Sequence, residues 1–236
     1  MDLPVTDSTS GKSGDDPLSP LTKRIKASRR FVEWLRTPVE PTPTVPMDTI
    51  AIRKVFWISG KAGSGKSTLM KFLVQKPDTK NVMGDGTIIL YSFIWSAGVP
   101  MQQSCKGVVC SLLHEFINHD PAVVDAILAH FPFLKSKRQL GDWHLTEIIQ
   151  ALDVGLKASQ KSACIFLDGL DEIDPHEGPG EILGLVQELV RIPVVHGICV
   201  SSRPEPAFQT CLKNLPSLHL HDLTYYGIYV RCQRPY

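Results

Sequence analysis

The sequence predicts an α/β fold in which a mainly parallel five-stranded sheet is sandwiched between helices, a three-layer α/β/α arrangement. Short apolar runs alternate with stretches of helical periodicity, the pattern of strands buried under crossover helices. The composition agrees, since 236 residues at 43% hydrophobic and 21% charged can bury one sizeable core with extensions.

Residues 1–19 are rich in Ser, Gly, Asp and Pro and are expected to form a disordered tail, having too little apolar surface to offset the entropy of ordering. Over residues 20–37, Leu21, Ile25, Val32 and Leu35 fall on one helical face, with Ser28 interrupting its middle. Ser19 and Pro20 suit the cap and first turn, and Pro38 ends the helix. Its other face carries Lys23, Arg24, Lys26, Arg29 and Arg30, which reads first as a solvated face and second as a nuclear-import or anionic-surface patch. Residues 38–53 open with PVEPTPTVP and are expected to be an extended linker. The core is expected over 54–236.

Within it, strands are expected at Lys54–Ser59, Thr87–Trp95, Ala163–Leu167, Val194–Val200 and Ser217–Leu220. Helices are expected at Lys66–Gln75, Gln103–Asn118, Leu145–Lys157, Pro179–Val190 and after Asp222. Val108, Leu112, Leu113, Phe116 and Ile117 make a core-facing stripe on the second of these.

The first strand runs into Gly60, Lys61, Ala62, Gly63, Ser64, Gly65, Lys66 and Ser67, which satisfy G-x-x-x-x-G-K-[ST]. Glycines let the backbone curl so that successive N–H groups converge on an anion, and the following helix points its positive end at the same place. This is a phosphate-binding loop, and the fold class sharpens to a P-loop NTPase. Residues 60–67 together with Thr68 are the expected nucleotide contacts, Lys66 reaching the outer phosphates and Ser67 a ligand of Mg²⁺. The strand CIFLD ends in Asp168, expected on the metal side through a water. Asp171 and Glu172 follow, either able to orient or deprotonate an attacking water, with Glu172 better placed for reach. The strand GICVSS ends at Arg203, which reads either as a sensor of the terminal phosphate or as an ordinary turn residue before a surface helix opened by Pro204.

A formal net charge of +1 supplies no field to gather a polyanion, so nucleic acid is not an expected partner. The first twenty residues lack the apolar core of a secretory signal, and no apolar run is long enough to span a bilayer. The six cysteines show no C-x-x-C pair or zinc spacing, and the expected setting is a reducing cytoplasm. His219 and His221 share a strand face, but two ligands make a poor metal site.

FWISGKAGSGKSTLMKFL, CIFLDGLDEID, ICVSSRPEPAF and LHLHDLT together resemble the NACHT-type P-loop NTPase module of the STAND class, found in fungal NLR-like proteins and in the nephrocystin-type N-terminal region. The resemblance runs from about Phe31 to Val230. It implies that the Arg203 strand lies between the Lys66 and Asp168 strands, and it favours the sensor reading of Arg203. It further implies binding of ATP or GTP with Mg²⁺, slow hydrolysis, and a signalling switch in non-self recognition that assembles with like or related modules. The sequence departs from the family pattern at Gly227, where an acidic residue is expected. The usual C-terminal clamp is not within the 236 residues, so the core is expected to be C-terminally truncated, with a short N-terminal tail in place of an effector.

ATP is favoured over GTP because no N-K-x-D guanine signature occurs. The competing reading is an incomplete, non-hydrolysing receptor fragment that acts as an interaction module. A small-molecule kinase is disfavoured, as no Arg-rich lid follows Asp168.

Overall fold

The computed structural model describes residues 29–36 and 54–220. The expected tail, the linker, the first part of the amphipathic helix, the helix after Asp222, His221 and Gly227 lie outside the described residues.

Among the described residues five strands form a single parallel sheet: β1 (Val55–Ser59), β2 (Thr87–Phe93), β3 (Ser162–Asp168), β4 (Val195–Ser202) and β5 (Ser217–His219). Their spatial order is β2-β3-β4-β1-β5, and every pairing is parallel. β4 therefore separates β1 from β3, the order that the family resemblance implies. All five β1 residues are buried, which accounts for the unbroken apolar run in VFWIS.

Helices cover both faces. On one lie α1 (residues 29–36), α2 (Lys66–Gln75) and α3 (Pro77–Met83), packed over Phe56, Ile58, Cys164, Phe166 and Cys199. On the other lie α4 (Cys105–His119), α5 (Val123–His130), α6 (Leu145–Ser159), α7 (Gly178–Arg191) and α8 (Pro206–Leu212), around a larger core that includes Leu90, Ile165 and Ile198. Val108, Leu112 and Phe116 of the expected stripe are buried there, with Leu113 and Ile117 packed at its margin.

Some details differ from expectation. The described part of the N-terminal helix buries Phe31 and Leu35, with Trp34 packed beside them, whereas Val32 of the expected stripe is only half-buried. An aromatic cluster explains this: Phe31 meets Phe56 edge-on at 5.1 Å, and Trp34 lies 5.4 Å from the same ring. Trp34 also sits so close over β4 that a Cβ at Gly197 would come within 2.7 Å of its ring.

β2 ends two residues early because Trp95 N–H turns to the carbonyl of Gln102 and closes a loop. β4 runs two residues further than expected, into Ser201 and Ser202. Helix α4 starts at Cys105 because the Ser104 hydroxyl accepts from Gly107 N–H at 3.1 Å, a side-chain N-cap. Helices α3 and α5 had no counterpart among the expected elements, being short, and α3 starts with Pro77 at its first position.

Candidate functional site

The parallel sheet brings the ends of β1, β3 and β4 to one edge, where residues beyond the strands can converge. Gly60 N–H bonds the carbonyl of Ser202 at 3.3 Å, tying the start of the glycine loop to the end of β4. Trp57 Nε1 donates to Ser202 Oγ at 2.9 Å and makes a second tie between those strands.

The loop has the conformation its glycines permit. Gly65 stands at φ +90° and caps α2, with nothing within 4 Å of where a Cβ would be. The first turn of α2 thereby directs N–H groups that have no intrahelical partner toward the hollow of the loop. Lys66 reaches back across it, donating to the carbonyls of Gly60 at 2.8 Å and Lys61 at 3.2 Å. Lys61, Ala62, Gly63, Gly65, Ser67 and Thr68 are exposed. Ser64 Oγ is buried in the curl without a hydrogen-bond partner, a polar atom that an anion or its hydration would satisfy.

Asp168 ends β3 and is buried. Its Oδ1 accepts from Ser201 Oγ at 2.5 Å, and that hydroxyl in turn accepts from Gly169 N–H at 3.1 Å. Burial raises the carboxyl above its usual range; the hydroxyls of Ser201 and Ser67 work against this, Glu172 adds to it, and Lys66 opposes it weakly. Ser67 and Asp168 thus meet across the gap between the glycine loop and β3. A hydroxyl beside a carboxylate, both hard oxygen donors, suits Mg²⁺ and offers nothing to a soft metal.

Asp171 and Glu172 have different surroundings. Asp171, its side chain 2% exposed, accepts Arg203 N–H on Oδ1 and pairs with Arg203 Nε on Oδ2, both at 2.9 Å. Both oxygens are committed to Arg203, so Asp171 holds that arginine in place. Arg203 keeps about half its side chain exposed. Glu172 accepts from Ser96 N at 3.0 Å and Ser96 Oγ at 3.1 Å, both through Oε2.

Sequence reasoning did not single out Ser96 or assign roles to Ser201 and Ser202. The polar end of ICVSS was the available signal for the serines. No local pattern marks Ser96, which reaches Glu172 from 76 residues away. His219 is hydrogen-bonded to Ser59 Oγ and lies edge-on to Trp57. Among the described residues no group of three or more His, Cys, Asp and Glu is arranged to hold a metal, and no helix is long and apolar enough to cross a membrane. Cys164 and Cys199 are fully buried, and burial pushes the Cys164 thiol up to about 12.

The Aeropyrum pernix ORC2 protein, solved in ADPNP–ADP complexes, is similar with a TM-score of 0.50 at 14% identity, over 84% of this chain and 46% of that one. The C. elegans PCH-2 structure matches with a TM-score of 0.46 at 13% identity, over 84% of this chain and 42% of that one. The chain thus spans less than half the length of either, and at this identity the first likeness shows the fold alone. No curated protein matches. The family described as Nephrocystin 3, N-terminal matches residues 28–203, from α1 through the glycine loop and the acidic turn to Arg203. With that span covering most of the 236 residues, the chain belongs to the nephrocystin 3 N-terminal family of P-loop NTPase modules.

Proposed function

We propose that this chain grips a nucleoside triphosphate, ATP ahead of GTP, through residues 60–68 and hydrolyses it slowly as a signalling switch. The observation that carries the reading is the meeting of Ser67 with Asp168 beside a loop bridged by Lys66. Mg²⁺ would be held by Ser67 and, through water, by Asp168, where it would neutralise and polarise phosphate oxygens. Lys66 supplies a mobile positive charge within the loop, and the N-terminus of α2 adds its dipole. Glu172 Oε1 takes the proton of an attacking water, while Ser96 fixes the carboxylate plane. Arg203, held at Nε by Asp171, presents the rest of its guanidinium at the same edge. The NACHT and STAND character, the fungal NLR-like setting, the cytoplasmic location and assembly with related modules are parts of this proposal that rest on the sequence resemblance.

The test is titration of labelled ATP and GTP, with and without Mg²⁺, into wild type and Lys66→Ala. Loss of affinity by about 100-fold in the variant is expected, corresponding to a charge-assisted phosphate contact. Equal, negligible binding by both proteins would sink the reading. The second reading, an interaction module without turnover, is favoured by the engagement of Glu172 with Ser96 and of Arg203 with Asp171. An ordinary ATPase rate from the isolated chain would exclude it.

A further inference from the structure

On the face carrying α1, α2 and α3, an apolar cavity of about 340 Å³ opens between these helices and the edge strand β5. Phe31 and Leu35 of α1, Leu69 and Phe72 of α2, Val82 of α3 and Leu218 of β5 line it. Its size falls within the range of pockets that take a ligand or an anchoring side chain. Phe72 is 53% exposed on the cavity wall, with Lys76 Nζ 5.1 Å above its ring, so apolar surface stands open to water beside a polar rim.

The chain itself approaches this cavity. Leu218 lines it, and two residues later Leu220 is buried in the same hydrophobic cluster, against Phe31, Leu35 and Met70. From there the sequence continues as His221 and Asp222, then LTYYGIYV over 223–230, six of whose eight residues are Leu, Ile, Val or Tyr. The competing segments are chemically less suited. Residues 37–53 carry prolines at 38, 41, 43 and 46, and residues 1–19 are mostly polar. Tyrosine, with an apolar ring and a polar tip, matches a groove with an apolar floor and a rim bearing Lys76 and Asp78. Starting beside Leu218, the segment needs no long excursion, because each extended residue advances roughly 3.3–3.6 Å.

We infer that residues 223–230 dock into the cavity between α1, α2 and β5, their aromatic and aliphatic side chains covering Phe72. The segment then belongs to the packed layer on this face and braces α2, the helix that the glycine loop opens. This inference is independent of the nucleotide reading.

The experiment places the photo-crosslinker p-benzoyl-phenylalanine at position 72 in the full 236-residue chain and maps the product by mass spectrometry after irradiation. Because Phe72 is half-exposed, the substitution leaves the core intact, which a circular-dichroism melt checks. The expected product is an intramolecular cross-link within residues 222–231. Adding Tyr226→Asp and Ile228→Asp lowers its yield at least fivefold with the far-UV circular-dichroism spectrum still that of a folded chain, whereas Val45→Asp does not. Cross-links to 37–53 or 1–28, a covalent dimer, or no protein product would each overturn the inference, as would an undiminished yield in the Asp variants.

Discussion

The glycine loop after β1 and the acidic turn after β3 lie at the same edge of the sheet, yet they are built in opposite ways. The loop is made of backbone, largely exposed, and its shape follows from Gly63 and Gly65, which have positive φ and open space around them. The turn is made of side chains whose partners come from other strands: Ser201 within β4 and Arg203 just after it, Ser96 after β2. The difference teaches that a short local motif can specify a loop, while the surroundings of three neighbouring carboxylates are set by tertiary contacts.

The largest expected effect that would break this comparison lies in the Asp171–Arg203 pair. Arg203→Ala leaves a carboxylate only 2% exposed with one backbone donor, and should cost about 2–4 kcal/mol in urea unfolding. Asp171→Asn keeps an acceptor for Arg203 N–H while its partner is already half in water, and should cost nearer 1 kcal/mol. Equal costs would mean that Asp171 is not held as tightly as its geometry indicates.

Alanine at the two turn glycines comes next. Gly169 has φ +78°, and a Cβ there would lie 3.0 Å from the Ile94 carbonyl oxygen, so Gly169→Ala should cost about 2–3 kcal/mol. Gly65 has φ +90° but open surroundings, and Gly65→Ala should cost about 1–2 kcal/mol. Denaturant midpoints compare the two, and a larger cost at Gly65 would contradict an open loop.

Asp168 gives a smaller effect of opposite sign. Its raised carboxyl binds more protons folded than unfolded, so stability falls as pH rises from the ordinary carboxylate range through the raised folded value. Above that window the whole penalty is present. Asp168→Asn should therefore raise Tm at pH 7–8 by about 1–4 °C and flatten the pH dependence, while removing Mg²⁺-dependent nucleotide affinity. A lowered Tm would show that the hydroxyls of Ser201 and Ser67 outweigh burial. The smallest effect is expected for Ser96→Ala, within about 1 kcal/mol, because Ser96 is exposed and its backbone N–H still reaches Glu172. Its readout is kcat, expected to move a few-fold with the nucleotide Kd unchanged.

Strand content and the placement of β4 between β1 and β3 followed from continuous apolar runs and from the family resemblance. Strand and helix ends did not, because they depend on particular bonds: Trp95 N–H to Gln102, or the Ser104 cap of α4. Lys66 and Ser67 could be singled out from the spacing of the glycine loop, and Asp168 as the carboxylate that ends an apolar strand. The separate surroundings of Asp171 and Glu172 could not, since their partners lie 32 and 76 residues away. On α1, the helical stripe was drawn through Val32, while the tight contacts are made by Phe31 and Trp34 against Phe56.

The ring of Trp34 over Gly197 has a consequence for how the N-terminal helix finds its place. An indole lies on bare backbone at a point where any other residue of β4 would push it off, so this contact works like a key fitted to one notch. Sliding α1 by a single residue would bring Glu33 or Leu35 to that notch and lose both the ring contact and the bond between His196 Nε2 and the Leu35 carbonyl. The seating of the helix is therefore single-valued, set by a side chain that is missing deep in the sheet.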